Sequence, residues 1–181
     1  MHSKAQAWFT DFTIAILLFI VLLIIYFTYT LNLSKRNIET FNNLVSDANS
    51  ISSSLVLEGY PANWTSANVQ RLGLTDNSQR IVQDKLIRFY NLSYYNRKTL
   101  FNTQFDYFIF LKNKDNCLIN ASGFFGAGHS DVAVKSVAEC SGFSENSVNL
   151  STISPKNIIR TDRLLILNSN IVDLVIYLWQ K

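Results

Sequence analysis

The chain has 181 residues, of which 48% are hydrophobic and only 16% are charged, and its formal net charge is +3. Its lysines and arginines are scattered, with no block of five, so the composition gives no sign of a nucleic-acid-binding surface. The length allows one small domain in addition to an extended helix.

The first predicted element is a long helix with an apolar start. No charged residue occurs from Phe12 to Ser34, between Asp11 and Lys35. As a helix, this run would be about 35 Å long, which is enough to cross a bilayer core of about 30 Å. The run is longer than the apolar part of a secretory signal and bulky aromatic residues end it, so we do not expect cleavage after it.

The same helix is predicted to continue as an amphipathic stem. The chain has no Gly or Pro before position 59, and apolar or small side chains recur every three or four residues over 38–55. We therefore expect one helix from Thr10 to about Leu57. Thr10 or Asp11 is placed to cap its start, and the Gly-Tyr-Pro sequence at 59–61 is expected to end it.

The remaining residues, 58–181, predict short helices and strands. Helices are expected at Ile81–Tyr90 and from a Ser93 cap to Leu100. Alternating apolar residues predict a strand over 105–111, with 117–120 as its partner. Further expected segments are an extended piece at 69–72, a turn at 76–77, a Gly-rich loop at 123–128, a weak strand at 132–137 and a polar loop at 141–155.

The C-terminus has the clearest strand signal. The apolar runs 164–167 and 172–179 flank Asn168-Ser169-Asn170, which favours a tight hairpin because Asn tolerates positive φ. Both faces of the second run are apolar, so we expect it to be covered on both sides, by the stem and by other elements. The predicted fold class is α+β, with a long N-terminal helix packed on a small antiparallel sheet.

Cysteines and N-glycosylation sequons indicate the compartment. Cys117 and Cys140 are an isolated pair beyond the apolar helix, which predicts a disulfide in an oxidising compartment; the alternative is two unrelated buried thiols. The sequons are at Asn32, Asn63, Asn91, Asn120 and Asn149. Their number is only slightly above what the composition gives, so they permit glycosylation without establishing it. Thiols and sequons together favour an extracellular C-terminal domain.

No residue pattern indicates an enzyme, a cofactor or a metal. His129 precedes Ser130 and Asp131, but a catalytic triad needs the histidine between the other two side chains, and adjacent positions do not give that. The Gly-rich loop lacks the Lys and Ser/Thr of a phosphate loop, and we expect Phe124 and Phe125 to belong to the core rather than to a contact patch. Two cysteines and one distal histidine do not make a zinc site.

Asp11 is the most informative charge, and two interpretations of it are open. It adjoins the apolar run, where a negative charge near a helix N-terminus is favourable. Alternatively, it pairs with the amino terminus of a neighbouring subunit in an assembly of helices.

The N-terminal sequence resembles that of archaeal type IV pilin-like proteins with class III signal peptides. The segment that resembles them is Lys4-Ala5-Gln6-Ala7-Trp8-Phe9-Thr10-Asp11-Phe12. In that family a prepilin-type peptidase removes a short polar leader just before a Gln, ahead of the apolar helix. The resemblance implies cleavage between Ala5 and Gln6, a leader at 1–5, a filament-core helix at 6–34 and a stem helix at 35–57. The chain has Lys-Ala where the family has Lys-Gly, and Asp11 would be the sixth mature residue, where the family usually has Glu at the fifth.

Later segments, at 59–64, 69–75, 105–110 and 163–179, also look like archaeal pilin-like surface proteins. The resemblance implies a structural subunit of a cell-surface filament, with adhesion or surface attachment as its role. Its expected partners are copies of itself, the membrane before assembly and the peptidase, with no nucleic acid and no cofactor. The alternatives are a permanently anchored single-pass surface protein whose head binds a partner and, third, an enzyme.

Overall fold

A computed structural model of the protein describes the backbone of residues 3–134, 140 and 142–180, and the side chains of these residues except 3–8 and 32–37. The helices are α1 (Ser3–Val56), α2 (Gln83–Asn91) and α3 (Tyr94–Phe101), and the strands are β1 (Asp106–Lys112), β2 (Ala127–Gly128), β3 (Ala133–Val134), β4 (Val148–Asn149), β5 (Asn157–Leu167) and β6 (Asn170–Gln180). Short 3₁₀ helices occupy Glu145–Ser147 and Ser151–Ile153. The chain divides into two compact units, Met1–Asn42 and Asn43–Lys181, and we call the second unit the head.

The helix α1 begins earlier than the sequence predicts. Its first residue is Ser3, so Thr10 and Asp11 lie inside the helix of the full chain and neither caps its start. The reason is local, because the intervening Ala5, Gln6 and Ala7 are good helix formers. The end of the helix at Val56 is one residue from the predicted end, and the chain then turns through Gly59, whose φ is +83°.

The head contains a small antiparallel sheet, which confirms the α+β class. Its four strands have the order β2-β1-β6-β5. The strands β5 and β6 form the predicted hairpin, in which Leu167 pairs with Asn170. Asn168 and Ser169 between them have φ values of 50° and 67°, as a two-residue type I′ turn requires. On the other side of β6, Asp106 of β1 pairs with Trp179.

Both faces of the sheet are covered, as the two-sided apolar pattern of β6 predicts. Leu174, Ile176 and Leu178 belong to a core cluster that includes side chains from the last turns of α1. Those side chains are Leu44, Ala48, Ile51 and Leu55. On the opposite face, Val175 and Trp179 belong to a second cluster. That cluster also includes Leu118, Val132 and Ile153.

The helices and several loops of the head match the sequence closely. Ser93 caps α3, as predicted, because its hydroxyl accepts a hydrogen bond from the Asn96 amide at 3.2 Å. The predicted turn at 76–77 contains Asn77 with φ of 68°. In the Gly-rich loop, Phe125 is half-buried against the second cluster, as predicted. The prediction that Phe124 belongs to the core is wrong, because its side chain is 40% exposed.

Three strand predictions differ from the structure. The strand β5 begins at Asn157 rather than at 164, because the four consecutive polar residues at 160–163 interrupt the apolar signal of its first half. The predicted strand at 132–137 is limited to β3 among the described residues, and 135–137 lie outside them. The segment 117–120 makes only an isolated bridge to β1, between Leu118 and Lys112, because β2 and β6 pair along the two sides of β1.

The predicted disulfide between Cys117 and Cys140 is present. The Cα atoms of the two cysteines are 5.3 Å apart, and the described residues include no free cysteine. The alternative of two unrelated thiols is therefore wrong. The bond closes the segment that contributes Leu118 and Val132 to the second cluster, so it helps to hold the cover on that face of the sheet.

Candidate functional site

The apolar part of α1 is the first candidate surface. Its span Phe9–Leu31 has 23 residues and a mean hydropathy of 2.7, which makes it long and apolar enough to cross a membrane, and none of it is buried inside the structure. Large side chains are open on all sides of the helix, as Phe19 (63% exposed) and Leu22 (65% exposed) illustrate. Such a surface is unfavourable in water, so it requires lipid or other helices around it.

Three threonine hydroxyls within this span are satisfied by the helix itself. The hydroxyls of Thr13, Thr28 and Thr30 each donate to the carbonyl four residues earlier, at 2.7 to 2.9 Å. Because these hydroxyls do not need water, they add little to the cost of placing the span in an apolar environment. Asp11 is the one charged residue in the span by sequence, and its side chain is exposed.

The predicted cleavage and glycosylation residues differ in how exposed their side chains are. Ala5 and Gln6 lie within α1, but their side chains, like that of Asn32, are outside the described part of the chain. Among the other sequons, Asn63, Asn91 and Asn120 are exposed and Asn149 is half-buried. Three of the five are therefore open at the surface of the head.

A polar cluster around Asp106 is the second candidate site. The Asp106 Oδ1 atom accepts hydrogen bonds from the Tyr94 hydroxyl and from Lys98 Nζ, both at 2.6 Å. His129 Nε2 lies 3.8 Å from the other carboxylate oxygen. Burial by itself raises the pKa of Asp106, but the hydrogen bonds from Lys98 and Tyr94 outweigh it and hold that pKa below its usual value. Burial and the bond to Asp106 also raise the pKa of Tyr94.

The arrangement at His129 differs from a catalytic triad. The Ser130 hydroxyl donates to Asp131 Oδ1 at 3.3 Å, and the Asp131 amide donates to His129 Nδ1 at 3.2 Å. The histidine therefore does not lie between the serine and the carboxylate, which is the order that proton transfer needs. No group of three or more His, Cys, Asp or Glu side chains among the described residues is arranged to hold a metal ion.

The sequence did not predict the Asp106 cluster, because its members come from separate elements. Tyr94 and Lys98 are on α3, Asp106 opens β1, and His129 follows β2. The only local signal is an acidic residue between the aromatic residues Phe105 and Tyr107, on an otherwise apolar strand. This pattern predicts that the carboxylate is paired in the folded protein, but it does not identify the pairing residues.

The head also has a polar groove of about 540 Å³. Its lining includes Asn43, Asp47, Lys98, Asn102 and Gln104. Within it, Asp47 accepts a hydrogen bond from the Thr103 hydroxyl at 2.6 Å. Amide and charged groups of this kind suit a polar ligand better than an apolar one.

Comparison with protein-family models, with curated proteins and with solved structures gives no significant match to this chain. The structure itself defines the class as an α+β protein with an N-terminal apolar helix and a disulfide-bonded head.

Proposed function

We propose that this protein is a structural subunit of an archaeal type IV pilus-like surface filament, assembled from copies of itself through the N-terminal helix. One observation carries the proposal: the span Phe9–Leu31 is helical, apolar on all sides and entirely unburied. In a pilin-like subunit, lipid would cover this apolar surface before assembly, and identical helices of other subunits would cover it in the filament. The disulfide of the head agrees with an oxidising compartment outside the membrane.

Asp11 gives the proposed assembly a specific contact. A carboxylate within a bundle of apolar helices needs a partner, since an unpaired charge there is strongly unfavourable. Removal of the leader 1–5 by a prepilin-type peptidase would create an amino group on Gln6. The pairing of Asp11 with that amino group of a neighbouring subunit would fix the axial position of each helix in the bundle.

The head faces outwards in this proposal, and its role is adhesion or surface attachment. The exposed Asn63, Asn91 and Asn120 would be accessible to a glycosylation enzyme on that side of the membrane. No catalytic role is proposed, because the function lies in polymerisation and in what the head contacts.

The first test is the N-terminal residue of the native protein together with electron microscopy of the cell surface. The proposal expects Gln6, or its cyclised form, and filaments that contain this chain. Recovery of intact Met1 with no filaments would favour the alternative of a permanently anchored single-pass protein. In that case the polar groove at Asp47 and Lys98 becomes the binding site to examine.

The second test separates the role of Asp11 from a general effect of charge. The Asp11→Ala substitution is expected to reduce filament yield by at least tenfold, while the protein stays in the membrane fraction with a folded head. Glu39→Ala is the matched control, because Glu39 is an exposed carboxylate on the same helix beyond the apolar span. Normal filaments from Asp11→Ala would exclude the proposed pairing.

A further inference from the structure

The strand β5 is an open edge of the head sheet. The sheet order is β2-β1-β6-β5, so β5 has a neighbour on one side only. Near the end of β5, both backbone groups of Ile166 point outwards: its N–H donates to the Gln79 carbonyl at 2.9 Å, and its carbonyl accepts from the Ile81 N–H at 2.8 Å. That short contact covers only one end of the edge.

The outer backbone groups of the preceding part of β5 have no partner. Alternate residues of an antiparallel strand direct their N–H and C=O groups to the same side. Ile158, Arg160, Asp162 and Leu164 therefore point outwards, like Ile166. None of these four forms an outward backbone hydrogen bond with any residue that the structure describes. Another chain in extended conformation could pair with all four of them.

A groove of about 420 Å³ lies beside this edge. Its lining residues are Ser53, Val56, Leu57, Gln79, Arg163 and Leu164. Gln79 places the groove on the outer side of β5, because the Gln79 carbonyl accepts the outward N–H of Ile166. The last turn of α1 forms the opposite wall. Leu57 is 44% exposed and Leu164 is 68% exposed, so the groove offers apolar surface next to the unpaired backbone.

Arg163 supplies the groove with a positive charge that is available to a ligand. It is half-buried, and its Nε and Nη2 atoms donate to the Ser52 hydroxyl at 3.2 and 3.1 Å. No described carboxylate forms an ion pair with it, whereas the neighbouring Arg160 pairs with Glu145 and Asp162. A guanidinium in such surroundings favours a carboxylate, to which it can donate two hydrogen bonds.

We propose that the edge of β5 and this groove bind an extended segment of a partner protein, as an added antiparallel strand. The segment has a carboxylate opposite Arg163, directed into the groove, and an apolar side chain opposite Leu164 on the other face of the sheet. Uncharged polar side chains suit the positions opposite Arg160 and Asp162, because these two residues already pair with each other. The segment ends beside Gln79, which occupies the next part of the edge.

The charges of the edge make this binding selective. Charged residues on an edge strand commonly prevent association with unrelated strands, and here a purely apolar strand would leave Arg163 without a countercharge. The interface is smaller than about 1,200 Å², which is typical of transient contacts, so the segment binds weakly unless it is tethered nearby. The inference concerns the head alone and does not depend on the proposed function.

The first test uses the full-length protein in detergent micelles and the acetylated, amidated peptide Val-Glu-Thr-Thr-Thr-Val-Thr. In the inferred register its glutamate lies opposite Arg163, and the N–H groups of its third and fifth residues donate to Asp162 and Arg160 of β5. N-methylation of these two nitrogens removes those bonds, whereas N-methylation of the fourth and sixth residues alters groups that point away from β5. We expect the first methylated peptide to bind at least tenfold more weakly than the second. Equal affinities, or no binding of the unmodified peptide at millimolar concentration, would overturn the proposal.

Hydrogen exchange of the β5 amides, followed by NMR, locates the binding and separates the peptide from a second copy of the chain. With saturating peptide, the amides of Ile158, Arg160, Asp162 and Leu164 are expected to exchange at least fivefold more slowly. Unchanged exchange at these amides would contradict the inferred site. Protection of the same amides without peptide, increasing with protein concentration, would assign the edge to a second copy and would also overturn the proposal.

Arg163→Gln tests the role of the carboxylate. On the unsubstituted protein, replacing the glutamate of the peptide by glutamine is expected to weaken binding at least fivefold, and on Arg163→Gln this replacement is expected to have no effect. Arg71→Gln is the matched control, because Arg71 is exposed and does not line the groove, and it should retain the fivefold preference for glutamate. Loss of that preference in both variants, or its absence in the unsubstituted protein, would exclude the pairing with Arg163. Near-UV circular dichroism of each variant checks that the head is folded.

Discussion

Asp106 joins parts of the head that are distant in sequence. Its carboxylate accepts from Tyr94 and Lys98 on α3 and lies close to His129. The first two bonds are charge-assisted and short, which makes them stronger than neutral hydrogen bonds. The cluster therefore holds α3 against the start of β1 at a point where the hydrophobic core alone gives no directional contact.

The Asp106→Asn substitution is expected to lower the free energy of unfolding of the head by about 1–3 kcal/mol. The amide oxygen of the new side chain can still accept hydrogen bonds, but these bonds lose their charge assistance, and Lys98 loses its countercharge. Chemical denaturation of the full-length protein in detergent, followed by near-UV circular dichroism, would measure the change. Asp115→Asn is the control, since Asp115 is exposed on a turn, and an equal loss in both variants would contradict the assigned role.

The Asp106 carboxylate is also expected to make the stability of the head depend on pH. The pKa of Asp106 in the folded head is below its ordinary value of 3.8. Its contribution to stability is therefore present above pH 3.8 and is lost as the pH falls through the folded pKa. The unfolding free energy of the unsubstituted protein should fall more steeply in this acid range than that of Asp106→Asn. Parallel curves for the two proteins would show that the carboxylate is not stabilised by its partners.

The end of α1 is fixed by the segment that follows it. The Leu74 amide donates to the Leu55 carbonyl at 2.9 Å, and the Thr75 amide donates to the Leu57 carbonyl at 3.2 Å. These bonds satisfy carbonyls that a helix end leaves without partners. The segment also contains Gly73, whose carbonyl accepts from the indole of Trp64 at 2.9 Å.

Gly73→Ala tests this close packing. A Cβ atom at Gly73 would lie 2.2 Å from the Gly59 nitrogen and 2.3 Å from the Leu57 oxygen. Both are backbone atoms that cannot rotate away, so we expect a loss of about 1–3 kcal/mol in unfolding free energy. Gly123→Ala is the control: a Cβ there meets open space, and only its φ of +89° is unfavourable. A cost at Gly123 as large as at Gly73 would contradict the packing argument.

The elements that could be predicted are those whose signal is local. The apolar span of α1, the Ser93 cap and the Asn168-Ser169 turn each depend on a few adjacent residues, and all three are present. The first half of β5 is not predicted because Arg160, Thr161 and Asp162 are polar in succession, and an edge strand tolerates such charged residues. Lys85 could not be predicted either: its buried Nζ donates to the carbonyls of Glu58 and Thr75, each at 2.9 Å, and only the folded chain brings those carbonyls together.

The two units differ in how much of their large apolar side chains they bury. The head buries its large side chains, including Trp64, Trp179 and Phe110, in its own core. No residue of the span Phe9–Leu31 is buried. The head can therefore fold around its own core, whereas the apolar surface of the N-terminal unit needs surroundings supplied by lipid or by other helices.

Leu22→Lys distinguishes these two kinds of surroundings. In lipid, one lysine in a long apolar span costs about 3 kcal/mol and can extend towards the interface, so the rest of the span is expected to keep the protein in the membrane fraction. In a bundle, every subunit would place an unpaired charge among identical helices, and this cost recurs with each copy. We therefore expect membrane retention to persist while filament formation is lost. Ile38→Lys, the same class of change at an exposed site beyond the span, is expected to retain filaments. Filaments of normal yield from Leu22→Lys would show that the middle of the span is not packed against its copies.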